Sequence, residues 1–73
     1  MNASAVPSRP ASGMTTWIRQ PLDRRITCAL GTLWLRFDGD AEGFVLQAGQ
    51  SHHCRSARPL AIRASVSAAL MVA

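Results

Sequence analysis

Alternating apolar and polar positions predict a series of short β-strands. Apolar residues occupy every second position from Ile26 to Leu30, Gly31 interrupts the pattern, and the alternation resumes from Leu33 to Phe37. A period of two is typical of strands that bury one face. A glycine inside such a pattern indicates a bulge or a bend, so we expect the chain to turn a corner at Gly31.

Turn-forming residues separate the strands. The stretch 38–43 (Asp-Gly-Asp-Ala-Glu-Gly) is typical of a hairpin loop, and 47–50 (Gln-Ala-Gly-Gln) is typical of a second turn. Regularly spaced short strands indicate a sandwich or a small barrel. We therefore predict an all-β fold, a small antiparallel barrel or sandwich of about six to seven short strands. The predicted strands cover residues 14–20, 25–30, 32–37, 44–46, 51–55, 60–64 and 65–73.

The two ends of the chain have different compositions and predict different structures. Residues 1–13 are rich in Ser, Ala and Pro, and only Met1 and Val6 are sizeable apolar side chains. They cannot bury enough surface to offset the entropy of ordering, so we predict a disordered tail at 1–13 before a β domain at 14–73. Residues 65–73 have both helix and strand formers, and we predict a strand. So small a domain would gain stability from dimerisation.

Trp34 and Arg36 are predicted to lie on the face of their strand that points away from the core. Trp34 and Arg36 alternate with the apolar residues of their strand. An exposed tryptophan beside an arginine is typical of association hot spots, so this pair is our candidate for interaction. If both faces of the strand are covered, Trp34 belongs instead to a second core layer. The predicted core consists of Ile18, Ile26, Cys28, Leu30, Leu33, Leu35, Phe37, Phe44, Leu46, Leu60, Ile62, Leu70 and Val72.

The charge is positive and carried by arginine alone. Eight basic residues, with no lysine, stand against four acidic ones, which gives a net charge of +4. Arginine binds phosphate and carboxylate through two points, but codon bias in a GC-rich genome would produce the same composition.

We find no secretory signal and no stretch of membrane-spanning length. We therefore expect a cytoplasmic protein with Cys28 and Cys54 reduced.

Two motifs resemble those of an uncharacterised family of small bacterial cupin-like domains, a domain of unknown function. They are 30–35 (Leu-Gly-Thr-Leu-Trp-Leu) and 44–50 (Phe-Val-Leu-Gln-Ala-Gly-Gln), and the resemblance extends over 14–73. It implies a cupin-like barrel or sandwich and no known activity. Enzymatic cupins carry a His-x-His pair and a Glu, then a third His. Here Trp34 and Arg36 stand where metal ligands would be expected, so the resemblance implies a barrel without the usual metal site.

The segment Ser51-His52-His53-Cys54 is the first candidate for chemistry. On a strand, His52 and Cys54 share a face, and with Cys28 on a neighbouring strand the three could bind zinc. No Cys-x-x-Cys or His-x-His spacing supports this, so we expect no metal and regard Cys28 as a core thiol. Cys54 with His52 or His53 could also form a nucleophilic pair, but side chains adjacent on a strand do not face each other.

Two further candidates involve charged residues. The loop 38–43 resembles the start of a calcium loop but lacks the distal bidentate glutamate. A basic face could bind nucleic acid, but such faces also present stacking aromatics, and most aromatic residues here are predicted to be core. The arginines considered for that face are Arg24, Arg25, Arg36, Arg55, Arg58 and Arg63.

These observations favour a non-enzymatic interaction or accessory module without a cofactor. We expect it to bind an unknown protein partner through Trp34 and Arg36, or a second copy of itself through an exposed strand edge or the face that carries Trp34. The alternative is a small ligand- or metal-binding cupin that uses His52, Cys54 and Cys28. The second alternative is arginine-mediated binding of nucleic acid. We expect neither nucleic acid nor a membrane as the partner.

Overall fold

The described residues form two antiparallel β-sheets. The computed structural model describes residues 6–8 and 14–73, and they include no helix that is long and apolar enough to cross a membrane. The prediction of an all-β fold is confirmed, and the seven strands predicted between 14 and 73 are present. The strands are β1 (Val6–Ser8), β2 (Thr15–Ile18), β3 (Arg25–Leu30), β4 (Thr32–Phe37), β5 (Phe44–Gln47), β6 (Ser51–His53), β7 (Leu60–Ala64) and β8 (Ala69–Val72).

The strands pair in a nested order, the first with the last, the second with the second-last, and so on inward. Sheet I has the order β1-β8-β3-β6, and sheet II has the order β2-β7-β4-β5. The pairs β1–β8, β2–β7, β3–β6 and β4–β5 are therefore nested within one another. Each sheet keeps two edge strands, so the described strands form a two-sheet sandwich and not a closed barrel.

Gly31 is the corner at which the chain passes from sheet I to sheet II, as predicted. Its φ of +71° lies in the left-handed region that favours glycine. A Cβ at this position would lie 2.7 Å from Ser65 Oγ and 3.0 Å from Ala68 Cα. The corner is held to the β7–β8 connection because the Thr32 N–H donates to Ser65 Oγ at 3.0 Å.

The core lies between the sheets and contains nine of the thirteen predicted residues, with Ile18, Phe44 and Val72 partly buried against it. Ala64, Ala68 and Ala69 are buried as well and were not predicted. Leu30 is 49% exposed, so its assignment to the core is wrong. The register between β3 and β8 shifts between Cys28 and Leu30, and the alternation of buried and exposed residues ends there, with both Ala29 and Leu30 exposed. Cys54 is fully buried and was absent from the predicted core. The buried apolar residues are Ile26, Cys28, Leu33, Leu35, Phe37, Leu46, Cys54, Leu60, Ile62, Ala64, Ala68, Ala69 and Leu70.

The ends of the chain complete sheet I. The prediction of a strand within 65–73 is confirmed, since β8 pairs with β3. Val6–Ser8, inside the segment predicted to be disordered, form β1 and pair with β8. An edge strand tolerates a proline such as Pro7, and this pairing satisfies backbone groups that β8 would otherwise expose. The rest of that predicted tail, 1–5 and 9–13, lies outside the described residues.

Candidate functional site

The outer face of sheet II carries a shallow groove of about 560 Å³. It forms because each strand of this sheet sends alternate side chains to the core and to the outside. On β4, for example, Leu33 and Leu35 are buried while Trp34 and Arg36 are exposed. The outward-facing residues that line the groove will be called the tryptophan face: Thr15, Trp17, Trp34, Arg36, Val45, Ala61 and Arg63.

The tryptophan face presents both tryptophans of the chain. Trp17 is 47% exposed and Trp34 is 48% exposed. Of the two interpretations left open for Trp34, the structure has the exposed one. Trp17 was missed by the sequence analysis, although its alternation with Ile18, which packs against the core, carries the relevant signal.

Strand register arranges this face in two rows across the sheet. The rows are about 7 Å apart, because residues two apart on a strand face the same side. The tryptophans lie one row and two strands apart, so their Cα atoms are about 12 Å from each other. The first row reads Thr15, Arg63, Trp34 and Val45, and the second reads Trp17, Ala61 and Arg36.

Small residues create the depth of the groove. Ala61 stands between Trp17 and Arg36 in the second row. Gly43 lies beside Arg36, and a Cβ there would lie 3.2 Å from the Arg36 Cβ and collide with the backbone oxygen of Leu35. A larger residue at Ala61 would fill the space between Trp17 and Arg36.

The groove is positively charged. Arg36 and Arg63 line it, and none of its lining residues is acidic. Arg36 Nη1 donates to the backbone oxygen of Asp40 at 3.4 Å, which leaves most of its five N–H donors available to a ligand. Such a surface favours anionic or carbonyl-bearing groups, and its indole rings favour planar ones.

The three residues considered for zinc do not converge. The Cys28 N–H donates to the Gln50 oxygen, and the Cys54 N–H donates to the Arg24 oxygen. Cys54 therefore lies across from Arg24, which is four residues from Cys28, a separation of about 13 Å along extended chain. Within 6–8 and 14–73, no group of three or more His, Cys, Asp or Glu side chains is placed to hold a metal ion.

The adjacent histidines point to opposite sides of β6, as expected for a strand. The His52 ring packs on Phe44, with 4.4 Å between ring centroids, and lies 6.3 Å from Phe37. His53 faces outward, and its Nε2 is 3.8 Å from Asp23 Oδ1. His52 thus contributes to an aromatic cluster, and His53 points away from the thiol of Cys54.

Neither thiol is prepared for nucleophilic attack. Burial raises the pKa of both Cys28 and Cys54, which disfavours the thiolate that such chemistry requires. Both thiols are free. The Cys28 thiol donates to the backbone oxygens of Leu30 and Gly31, each at 3.3 Å, a contact that also needs the protonated form.

The acidic loop 38–43 is held by arginines. Arg58 Nη1 lies 3.9 Å from Asp40 Oδ1 and donates to the Asp38 backbone oxygen at 3.5 Å. Arg36 donates to the Asp40 backbone oxygen. These guanidinium groups occupy oxygens that a calcium ion would need, and they add positive charge beside them.

The arginines considered for one basic face are divided between several surfaces. Arg25 begins β3 in sheet I and Arg24 directly precedes it, while Arg55 and Arg58 lie in the connection between β6 and β7. Arg36 and Arg63 belong to the tryptophan face. Among the six candidates, these two therefore share a surface with the exposed tryptophans.

The polar and charged side chains of the described residues lie outside the core of the sandwich. Its buried residues include no polar or charged side chain. The groove on sheet II, with its exposed tryptophans and arginines, is therefore the candidate site. Comparison with protein-family models and with curated proteins finds no match to this chain.

Proposed function

We propose that this chain is a non-enzymatic, cupin-like interaction module that binds its partner through the tryptophan face. The observation that carries the proposal is the placement of Trp17 and Trp34, each about half exposed, on one surface with two arginines. Burying an exposed indole in an interface is favourable, and tryptophan and arginine are the residues most enriched at binding hot spots.

The nested strand order supports the cupin-like part of the proposal. Eight strands in two four-stranded sheets are typical of double-sheet jelly rolls, the architecture that cupins adopt. The inward positions of β4 are Leu33, Leu35 and Phe37, all buried. An apolar strand at the place where enzymatic cupins carry ligands favours a jelly roll without the usual metal site.

The filled interior favours binding at the outer surface. Five large side chains between the sheets are fully or almost fully buried, and small-molecule sites require a cavity with a few convergent polar groups. The alternative of a ligand- or metal-binding cupin also needs Cys28 beside Cys54, and the pairing of Cys54 with Arg24 does not provide this. The large buried side chains are Ile26, Leu33, Leu35, Leu60 and Ile62.

Neighbouring positions on β4 provide a test that needs no knowledge of the partner. Trp34→Thr keeps a good strand former, and we expect it to lower the free energy of unfolding by about 1 kcal/mol or less. Leu35→Ala, its buried neighbour, should lower it by about 2–5 kcal/mol. Urea unfolding followed by circular dichroism measures both. An equal loss for the two variants would make Trp34 a structural residue and overturn the proposal.

A further inference from the structure

We propose that the ligand of the tryptophan face is a single-stranded nucleic acid, whose bases stack on Trp17 and Trp34 while its phosphates contact Arg36 and Arg63. The inference rests on the proposed function, because it names the partner of that same surface. Nucleic acid was not the expected partner, since most of the aromatic residues, Phe37 and Phe44 among them, were predicted to be core. The exposure of both tryptophans supplies the stacking aromatics that such binding needs.

The spacing of the side chains fits stacked bases. The Cα atoms of the two tryptophans are about 12 Å apart across the sheet, which allows separate bases to lie on the two side chains. Arg63 is the cross-strand partner of Trp34, and Arg36 follows Trp34 by two positions on the same face. Proteins that bind single strands without sequence preference combine stacking aromatics with a cationic groove in this way.

Charge favours an anionic ligand over a second copy of the chain. The groove is lined by two arginines and no acidic residue, and the whole chain has a net charge of +4. Two tryptophan faces packed together would bring Arg36 and Arg63 of one copy near those of the other. Burying like charges in this way opposes association.

The sheet surface also favours bases over an extended peptide. A peptide that adds to a sheet pairs its backbone with an edge strand, whereas Trp34, Arg36 and Arg63 lie on the outer face of the two central strands, β4 and β7. A base needs only an indole ring to stack on. In a duplex the base faces are already stacked, so the structure predicts a preference for single strands.

Intrinsic fluorescence gives a direct test, because the chain has two tryptophans and no tyrosine. Oligo(dT) and oligo(U) of twelve nucleotides are titrated into the wild-type protein at low salt. We expect saturable quenching, weaker binding of a duplex of the same length, and affinity that falls as salt is added. The absence of quenching by both single strands would overturn the inference.

Matched variants locate the binding surface. Arg36→Gln should weaken binding about fivefold at 0.1 M salt and reduce the salt slope by about 0.7. Arg25→Gln makes the same charge change on sheet I and should have little effect. Val45→Glu, which adds a negative charge at an exposed groove position, is a second variant should Arg36→Gln fail to fold. Equal effects of Arg25→Gln and Arg36→Gln would contradict the inference.

The same readout separates this inference from the proposed function. A hexaglutamate peptide, and the protein itself over a range of concentrations, are used as further probes. If either changes the tryptophan fluorescence while oligo(dT) and oligo(U) do not, the face binds protein and the nucleic-acid inference is wrong. If Trp34→Thr unfolds the domain, the proposed function itself fails.

Discussion

At the scale of single residues, backbone geometry and burial decide what each position tolerates. Gly31 and Gly49 both have positive φ, +71° and +91°. They differ in their surroundings, because a Cβ at Gly31 would collide with Ser65 and Ala68, whereas a Cβ at Gly49 would meet nothing within 4 Å. An alanine at Gly49 would therefore suffer backbone strain alone, whereas an alanine at Gly31 would suffer both strain and steric overlap.

We expect Gly31→Ala to destabilise the domain more than Gly49→Ala. Adopting the left-handed conformation costs an alanine about 1–2 kcal/mol at either site, and overpacking at Gly31 adds about 1–3 kcal/mol. Urea unfolding of the two variants measures the difference. Equal losses would mean that the corner at Gly31 has room for a side chain.

The buried thiols predict how stability depends on pH. Burial raises the pKa of Cys28 and Cys54 above the ordinary value of 9.0, so the unfolded chain loses these protons first as pH rises. The free energy of unfolding should therefore be unaffected by the thiols below that value and fall above it. The chain has neither lysine nor tyrosine, and arginine stays ionised, so few other groups titrate there.

Chemical unfolding between pH 7 and 10.5 tests this pH dependence. Cys28→Ala and Cys54→Ala should each flatten the alkaline decline, because each removes one titrating group. Val66→Ala, at a highly exposed position, serves as the control and should leave the slope unchanged. An alkaline slope that persists in the double cysteine variant would show that other groups cause it.

At the scale of elements, the two corners between the sheets hold the sandwich together. The Thr32 N–H donates to Ser65 Oγ, and the Ser65 N–H donates to the Thr32 oxygen, both at 3.0 Å. This reciprocal pair joins the start of β4 to the end of β7. It fixes the strand on which Trp34 and Arg36 alternate.

We expect Ser65→Ala to lower the free energy of unfolding by about 1–3 kcal/mol. The substitution leaves the partly buried Thr32 N–H without its acceptor, and an unsatisfied buried donor is costly. Val66→Ala is the matched control on the next, exposed residue. A Ser65→Ala variant as stable as that control would show that water replaces the hydroxyl at no cost.

How far the sequence predicts these elements depends on how regular they are. Alternation gave β4 correctly, including the outward direction of Trp34, because a strand without irregularities keeps its period of two. It failed at Leu30, since the bulge after Cys28 depends on pairing with β8, a strand distant in the sequence. The tryptophan face could not be predicted as a unit, because the pairing of β2 with β7 that brings Trp17 near Trp34 is a tertiary feature.

At the scale of the whole molecule, charge and chemistry are unevenly distributed. The acidic residues Asp38, Asp40 and Glu42 cluster in one hairpin loop, the thiols lie in the core, and the exposed indoles share the outer face of sheet II. This separation supports binding at a surface.

We expect zinc to leave the stability of the domain unchanged. The separation of about 13 Å between positions facing Cys28 and Cys54 prevents the two thiols from sharing one ion. Native mass spectrometry of protein purified without chelators should give the metal-free mass, and EDTA should not lower Tm. One zinc per chain, lost on Cys54→Ser, would contradict this account and revive the metal-binding alternative.

The central claim is that the tryptophan face binds single-stranded nucleic acid, and NMR of the ¹⁵N-labelled protein tests it most directly. On addition of oligo(dT), both indole N–H signals should shift, together with the amides of Arg36, Val45 and Arg63, while the amides of Arg25 and Thr27 on sheet I should not. Shifts centred on sheet I, or none at either indole, would contradict the account.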